Sequence, residues 1–167
     1  MSGHSRWAQI KHQKAITDRK RGQLFSKLSK LISLAARKGT SSEINLELKN
    51  AIDKARSFNM PQENIERAIK KITDKTSGEL EELLIHAIGP GGVALAIKAI
   101  TDSRNRTIAE IKKILSDFES KLVPPGSISW MFHQSKEVSV EIQEKLDQLF
   151  HTLDDHDDVE DIDSNLP

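Results

Sequence analysis

An α+β fold is predicted for this chain, helical in its first part and mixed in its second. Three observations predict it. Apolar residues recur at helical spacing as far as Lys71, the pattern then switches to strands interleaved with helices, and the balance of charge reverses near the same point. The formal net charge is zero, yet 17 Lys and Arg face 7 Asp and Glu through Lys75, whereas 8 face 18 from Thr76 onward. Such a step within 167 residues predicts two domains. Residues 1–76 form a basic helical domain with an extended N-terminal arm, and residues 77–167 form an acidic α+β domain.

The first helix is expected over about Ala15 to Lys38. Leu24, Leu28, Leu31 and Ala35 share one face with Phe25 and Ile32 beside them, while Arg19, Ser26, Lys30, Ser33 and Arg37 recur on the opposite side. Gly39 is a natural stop. A second helix from about Asn45 to Phe58 buries Leu48, Ala51, Ile52 and Ala55, and a third from Pro61 to about Lys71 buries Ile65, Ala68, Ile69 and Ile72. Pro61 suits a first helical turn. Short connections predict a three-helix bundle.

Leu83 to Ile88 and Val93 to Ile100 then read as strands around a hairpin turn at Gly89-Pro90-Gly91-Gly92. A helix from about Arg106 to Ser120, capped by Ser103 or Thr107, buries Ile108, Ile111, Leu115 and Phe118. Pro124-Pro125-Gly126 ends that unit. Ser127 to Phe132 and Val138 to Ile142 alternate as two more strands, Gln143 to Leu153 is helical, and Val159 to Ile162 closes the sheet. The expected second domain is a small α/β plait, ferredoxin-like, with a mostly antiparallel sheet.

Several classes of function are disfavoured. Cysteine is absent, which removes disulfides and thiolate metal sites. No apolar run approaches the ~20 residues of a membrane span, and no signal-peptide core follows Met1, so a soluble cytoplasmic protein with no membrane partner is expected. The six histidines form no tight ligand set, and His156 within Asp154-Asp155-His156-Asp157-Asp158 reads as a solvated acidic turn rather than a metal site. Gly89 to Gly92 lacks the lysine and hydroxyl of a phosphate loop, and no nucleophile with its base can be assembled. A monomeric non-enzyme is expected, without metal, cofactor or small-molecule substrate.

The charge points to nucleic acid. Arg6, Lys11, Lys14, Arg19, Lys20, Arg21, Lys27, Lys30, Arg37 and Lys38 are opposed before Gly39 only by Asp18. A solvated basic face usually carries acids at i+4 spacing, and this one has almost none, so these ten cations are expected to contact phosphates. Trp7 reads as an anchor packed on the helices, with stacking on a base as the alternative. Arg104 and Arg106 stand at an expected helix N-terminus, where backbone N–H groups also favour anions. They are candidates for a second phosphate contact. A helix cap with a salt bridge to Asp102 or Glu110 explains them equally well.

The run Gly3-His4-Ser5-Arg6-Trp7-Ala8-Gln9-Ile10-Lys11-His12, followed by Lys20-Arg21-Gly22 and Leu24-Phe25-Ser26-Lys27, closely resembles the opening of the YebC/PmpR family. So do Ala35-Ala36-Arg37-Lys38-Gly39 and the run from Asn59-Met60-Pro61 to Lys71. Gly89 to Ala94, Thr101 to Thr107, Gly126 to Phe132 and Leu153 to Val159 resemble the family's later motifs, in order. Members typically carry a third α/β domain inserted into the second; that insert is missing here between about Phe132 and Lys136. The family's tyrosine-containing strand reads as Leu83-Leu84-Ile85-His86-Ala87-Ile88, without the aromatic.

The resemblance implies a nucleic-acid-binding regulator of gene expression, usually described as a transcriptional regulator, and relatives are also implicated in activating translation at the ribosome. With Met1 directly before the motif, a bacterial rather than an organellar protein is implied. A DNA-binding transcriptional regulator is the leading expectation. A translation factor on ribosomal RNA and a protein-interaction adaptor are the alternatives, and DNA versus RNA stays open.

Overall fold

The computed structural model describes residues 18–73 and 79–167. They fall into two compact units that divide between Glu81 and Glu82. The fold is mixed α/β, with five α-helices and a four-stranded antiparallel sheet among the described residues.

The first unit holds α1 (Asp18–Ala36), α2 (Leu46–Ser57) and α3 (Gln62–Lys70), with a 3-10 turn at Lys71–Thr73. Their apolar stripes meet in one aliphatic core that includes Leu28, Ile32, Leu48, Ile52, Ile65 and Ala68. Each fully buried Leu or Ile there contributes about 1.5–3 kcal/mol. Asn45 joins two helix ends. Its Oδ1 accepts from the Leu48 N–H at 3.1 Å, capping α2, while Nδ2 donates to the carbonyls of Ala35 and Gly39, both at 2.8 Å. Ser33 Oγ donates to the Ala68 carbonyl at 2.8 Å, tying α1 to α3. Pro61 sits at the N-cap of α3, one position earlier than its expected place in the first turn.

The second unit runs β1 (Glu81–Ile88), β2 (Ala94–Thr101), α4 (Arg104–Asp117), β3 (Lys121–Val123), α5 (Val140–Asp154) and β4 (Val159–Ser164). The sheet order is β3-β1-β2-β4, which places the hairpin strands at the centre. Leu83, Ile85 and Ala87 of β1 and Leu95, Ile97 and Ala99 of β2 alternate onto the core shared with Ile111 and Leu115 of α4 and Leu146, Leu149, Phe150 and Leu153 of α5. The hairpin turns through Pro90–Gly92, closed by the Gly89 N–H on the Val93 carbonyl at 2.8 Å. Gly91 has φ 70, and a Cβ there would stand 2.8 Å from Ile142 Cγ2. Backbone hand and close packing both require glycine at this position.

Two expected strands are absent. The alternation over Ser127 to Phe132 does not enter the sheet: Ser129–His133 forms a 3-10 turn, preceded by buried Ile128, in which Trp130 is 61% exposed. Proline at 124 and 125 and Gly126 at φ 83 bend the chain out of an extended path. Val138 to Ile142 alternates equally well, yet α5 begins inside it: Ser139 caps the helix by accepting from the Ile142 N–H at 3.3 Å, and Val140 is left exposed. Ile142, Leu146, Leu149 and Leu153 make a helical stripe that outweighs the short period-two pattern. The short strand β3, paired with β1 from His86↔Val123 to Ile88↔Lys121, went unanticipated.

Asn165 secures the connection that replaces those strands. Its Oδ1 accepts from the Ala94 N–H at 2.9 Å, its Nδ2 donates to the carbonyls of Met131 and Gln134 at 3.4 and 3.3 Å, and its own carbonyl accepts from the Lys136 N–H at 2.7 Å. His86, buried in β1, accepts from the Gly126 N–H at 3.0 Å through Nδ1 and lies against Phe132.

Candidate nucleic-acid interface

Arg6, Lys11, Lys14 and Trp7 lie outside the described residues. The remaining candidates on and just after α1 do not form one uniform face. Arg19, Lys20 and Arg21 are exposed in its first turn, with Arg21 3.7 Å from Asp18. Lys30 is half-buried, and Arg37 is exposed and donates through Nη1 to the Leu80 carbonyl. Lys38 pairs with Glu47 at 2.6 Å, an acid that α2 brings across and that spacing within α1 does not anticipate. Lys27 is the exception, since it is only 4% exposed. It follows Ser26 toward the apolar side next to Leu28, so its ammonium is not part of the outward cationic surface. Exposed pairs such as Lys38–Glu47 contribute about 0–1 kcal/mol and leave a surface that can exchange partners.

At the second candidate both arginines are exposed in the first turn of α4. Arg106 reaches Asp158 at 2.9 Å, Asp102 at 3.2 Å and Glu110 at 3.2 Å. Asp158 is buried, and its carboxylate also accepts from Thr107 Oγ1 at 2.7 Å. A hydroxyl has one hydrogen, so Thr107 gives it to Asp158 and accepts from Thr101 Oγ1, 2.8 Å away. The nearby charge of Asp158, chiefly, raises the Arg106 pKa above its ordinary value against the opposing effect of desolvation.

His156 completes this network. The Asp158 N–H donates to its Nδ1 at 3.1 Å, which places the ring proton on Nε2, 2.6 Å from Glu110 Oε2. Ligand atoms of Glu110, His156 and Asp158 therefore lie within 4.8 Å of one another. The acidic run is thus not simply solvated, since His156 and Asp158 are drawn onto α4. A cation site is still disfavoured, because the Arg106 guanidinium already supplies positive charge to both carboxylates.

Sequence spacing also passed over Ser26, Ser29, Asn64 and Arg67, which the helices bring to the walls of one cleft. The repeat Asn64, Arg67, Lys71 at three- and four-residue steps was the available signal.

Residues 5–75 match the model of the TACO1/YebC protein N-terminal domain, and residues 80–142 match that of the TACO1/YebC second and third domain. The chain belongs to the TACO1/YebC family. It is 50% identical over 146 residues to a protein of Halothermothrix orenii, covering 86% of this chain and 58% of that relative. It is likewise 50% identical over 136 residues to one of Prosthecochloris aestuarii, covering 80% and 54%. Both relatives bear the name "Probable transcriptional regulatory protein". The chain thus spans little more than half the length of these relatives. Its fold is similar to the crystal structure of the conserved hypothetical protein Aq1575 from Aquifex aeolicus, with a TM-score of 0.79 at 28% identity, covering 98% of this chain and 97% of that one.

Proposed function

We propose that this protein is a non-enzymatic, nucleic-acid-binding regulator of gene expression, acting on DNA as a transcriptional regulator. The observation that carries the reading is the exposed cationic surface along α1, where Arg19, Lys20 and Arg37 reach solvent and Lys30 is half-buried. Kept together, such charges favour a polyanion. The names of the relatives, both probable transcriptional regulatory proteins, support it. In fold terms the reading is a three-helix bundle, residues 1–76 with the N-terminal arm, that binds, and a variant α/β plait, residues 77–167, that braces it or meets a partner. A cytoplasmic monomer that uses no membrane or small-molecule substrate completes the proposal. No helix among the described residues is long and apolar enough to cross a membrane.

A translation factor seated on ribosomal RNA is the second reading. Arg104 favours it: an exposed cation in an acidic unit, at a helix N-terminus, offers a phosphate contact on a different unit from α1. Folded RNA accepts dispersed backbone contacts, whereas sequence readout of a duplex needs side chains in a groove. The decisive experiment for binding is Arg19→Glu with Lys30→Glu and Arg37→Glu. The triple variant is expected to keep its circular dichroism and to lose affinity for DNA and RNA by about a hundredfold or more at low salt. A folded triple variant that binds both like the wild type rules the α1 surface out.

A further inference from the structure

We propose that the cleft between α1 and α3 is a phosphodiester subsite, taking one backbone phosphate of a nucleic acid with its adjoining sugar or base against Phe25. The inference rests on the nucleic-acid reading of the first unit and adds to it a built site distinct from the outward cations of α1. The cleft, of about 180 Å³, is lined by Phe25, Ser26 and Ser29 of α1, Asn64 and Arg67 of α3, and Lys71 beyond it. Pockets for whole drug-sized ligands run to about 300–1,000 Å³, so this one suits a single charged group with the rest of the molecule outside.

Its chemistry is matched to that group. The side chains of Ser26, Ser29 and Asn64 hold no hydrogen bond to any other described residue, so three polar groups converge on the cleft with donors to spare. Arg67 meets Glu63 at 3.4 Å with both side chains largely exposed, a long, solvent-screened pair that a phosphate with its two non-bridging oxygens can displace. Lys71 adds a second cation, and Phe25, partly buried against the core, offers a ring to a sugar or base. Offsetting the negative end of α3 would account for the cations alone. It would require neither the hydroxyls nor the ring.

The test measures anisotropy of a short fluorescein-labelled single-stranded RNA and of a duplex DNA of the same sequence. Arg67→Glu with Lys71→Glu is expected to weaken binding at least about tenfold and to flatten its salt dependence. Ser26→Ala with Ser29→Ala, which changes no charge, is expected to weaken it about threefold, and Glu63→Gln to strengthen it by releasing Arg67. A loss confined to the single strand identifies an unstacked strand as the occupant; equal losses identify backbone shared by both nucleic acids. The subsite is overturned if the folded charge-reversed variant binds both probes like the wild type. It is also overturned if that variant loses affinity while the serine variant keeps it, since diffuse surface charge then suffices. Wild-type protein that binds neither probe overturns the broader reading as well, whereas loss in the α1 triple variant with none at Arg67 and Lys71 removes the cleft alone.

Discussion

Arg19 and Arg106 both lie in the first turn of a helix, and the two units treat them in opposite ways. Arg19 stays at the solvent edge of α1. Arg106 is drawn onto a buried carboxylate, Asp158, that stands 52 residues away in sequence. The contrast teaches that density of charge identifies a cationic surface only where the fold brings no carboxylate to meet it. In the basic unit an acid arrives at the edge, Glu47 on Lys38, and the pair remains exposed. In the acidic unit it arrives beneath a helix and the arginine becomes part of the structure. Charge on α1 should therefore govern binding with little effect on stability, and charge at Arg106 the reverse.

The largest expected effect is the separation itself. The α1 triple reversal should lower affinity about a hundredfold while changing the thermal midpoint by only a few degrees, measured by anisotropy and by circular dichroism on the same samples. A large drop in midpoint would show that Arg37, through its bond to the Leu80 carbonyl, belongs with Arg106 rather than with Arg19.

Arg106→Ala comes next. It removes a charged donor from buried Asp158, which keeps its bond from Thr107, and after allowance for the partial exposure of Arg106 the expected cost is about 2 kcal/mol in urea unfolding. Adding Asp158→Asn should recover part of that loss, because the amide leaves no uncompensated charge. No recovery would show that the network acts by packing alone. The sign of its pH dependence follows from the raised pKa of Arg106: the stabilisation is complete below the ordinary arginine value and is lost only above it. Titration of this guanidinium should therefore leave stability unchanged through the neutral and mildly alkaline range.

Asn165→Ala should cost a comparable 1–2 kcal/mol, since it removes three side-chain hydrogen bonds that hold the connection from Met131 to Gln134 and the Ala94 N–H. Hydrogen exchange at Ala94 provides the local measurement. The smallest effect is expected for Arg104→Ala. It should leave stability within about 0.5 kcal/mol and weaken ribosome co-sedimentation a few-fold more than duplex binding. A loss confined to the DNA duplex would favour the promoter-binding reading over the ribosomal one. Because Arg106 braces Asp158, Arg104 alone is the cleaner probe of that contact.

Local pattern was enough for the helices and the central hairpin. Leu28, Ile32 and Ala35, then Leu48, Ile52 and Ala55, repeat at helical steps that require burial on one side, and glycine at 91 and 92, both at positive φ, permits the turn between β1 and β2. The same kind of pattern misled at Ile128, Trp130 and Phe132 and at Val138, Val140 and Ile142, because three alternating residues fit a strand, a 3-10 turn or a helix start. Only the cap at Ser139 and the continuing stripe to Leu153 selected the helix. Sequence by itself therefore determined the apolar stripes of the helices, the hairpin and the polarity of charge along the chain, all of which depend on neighbours within a few residues. The tertiary structure decided that Lys27 turns inward, that Arg106 serves Asp158, and that Ser26, Ser29, Asn64 and Arg67 share a cleft. Each of those outcomes depends on which distant side chain the packing of two elements brings within a few ångströms, and spacing along one chain segment does not encode that distance.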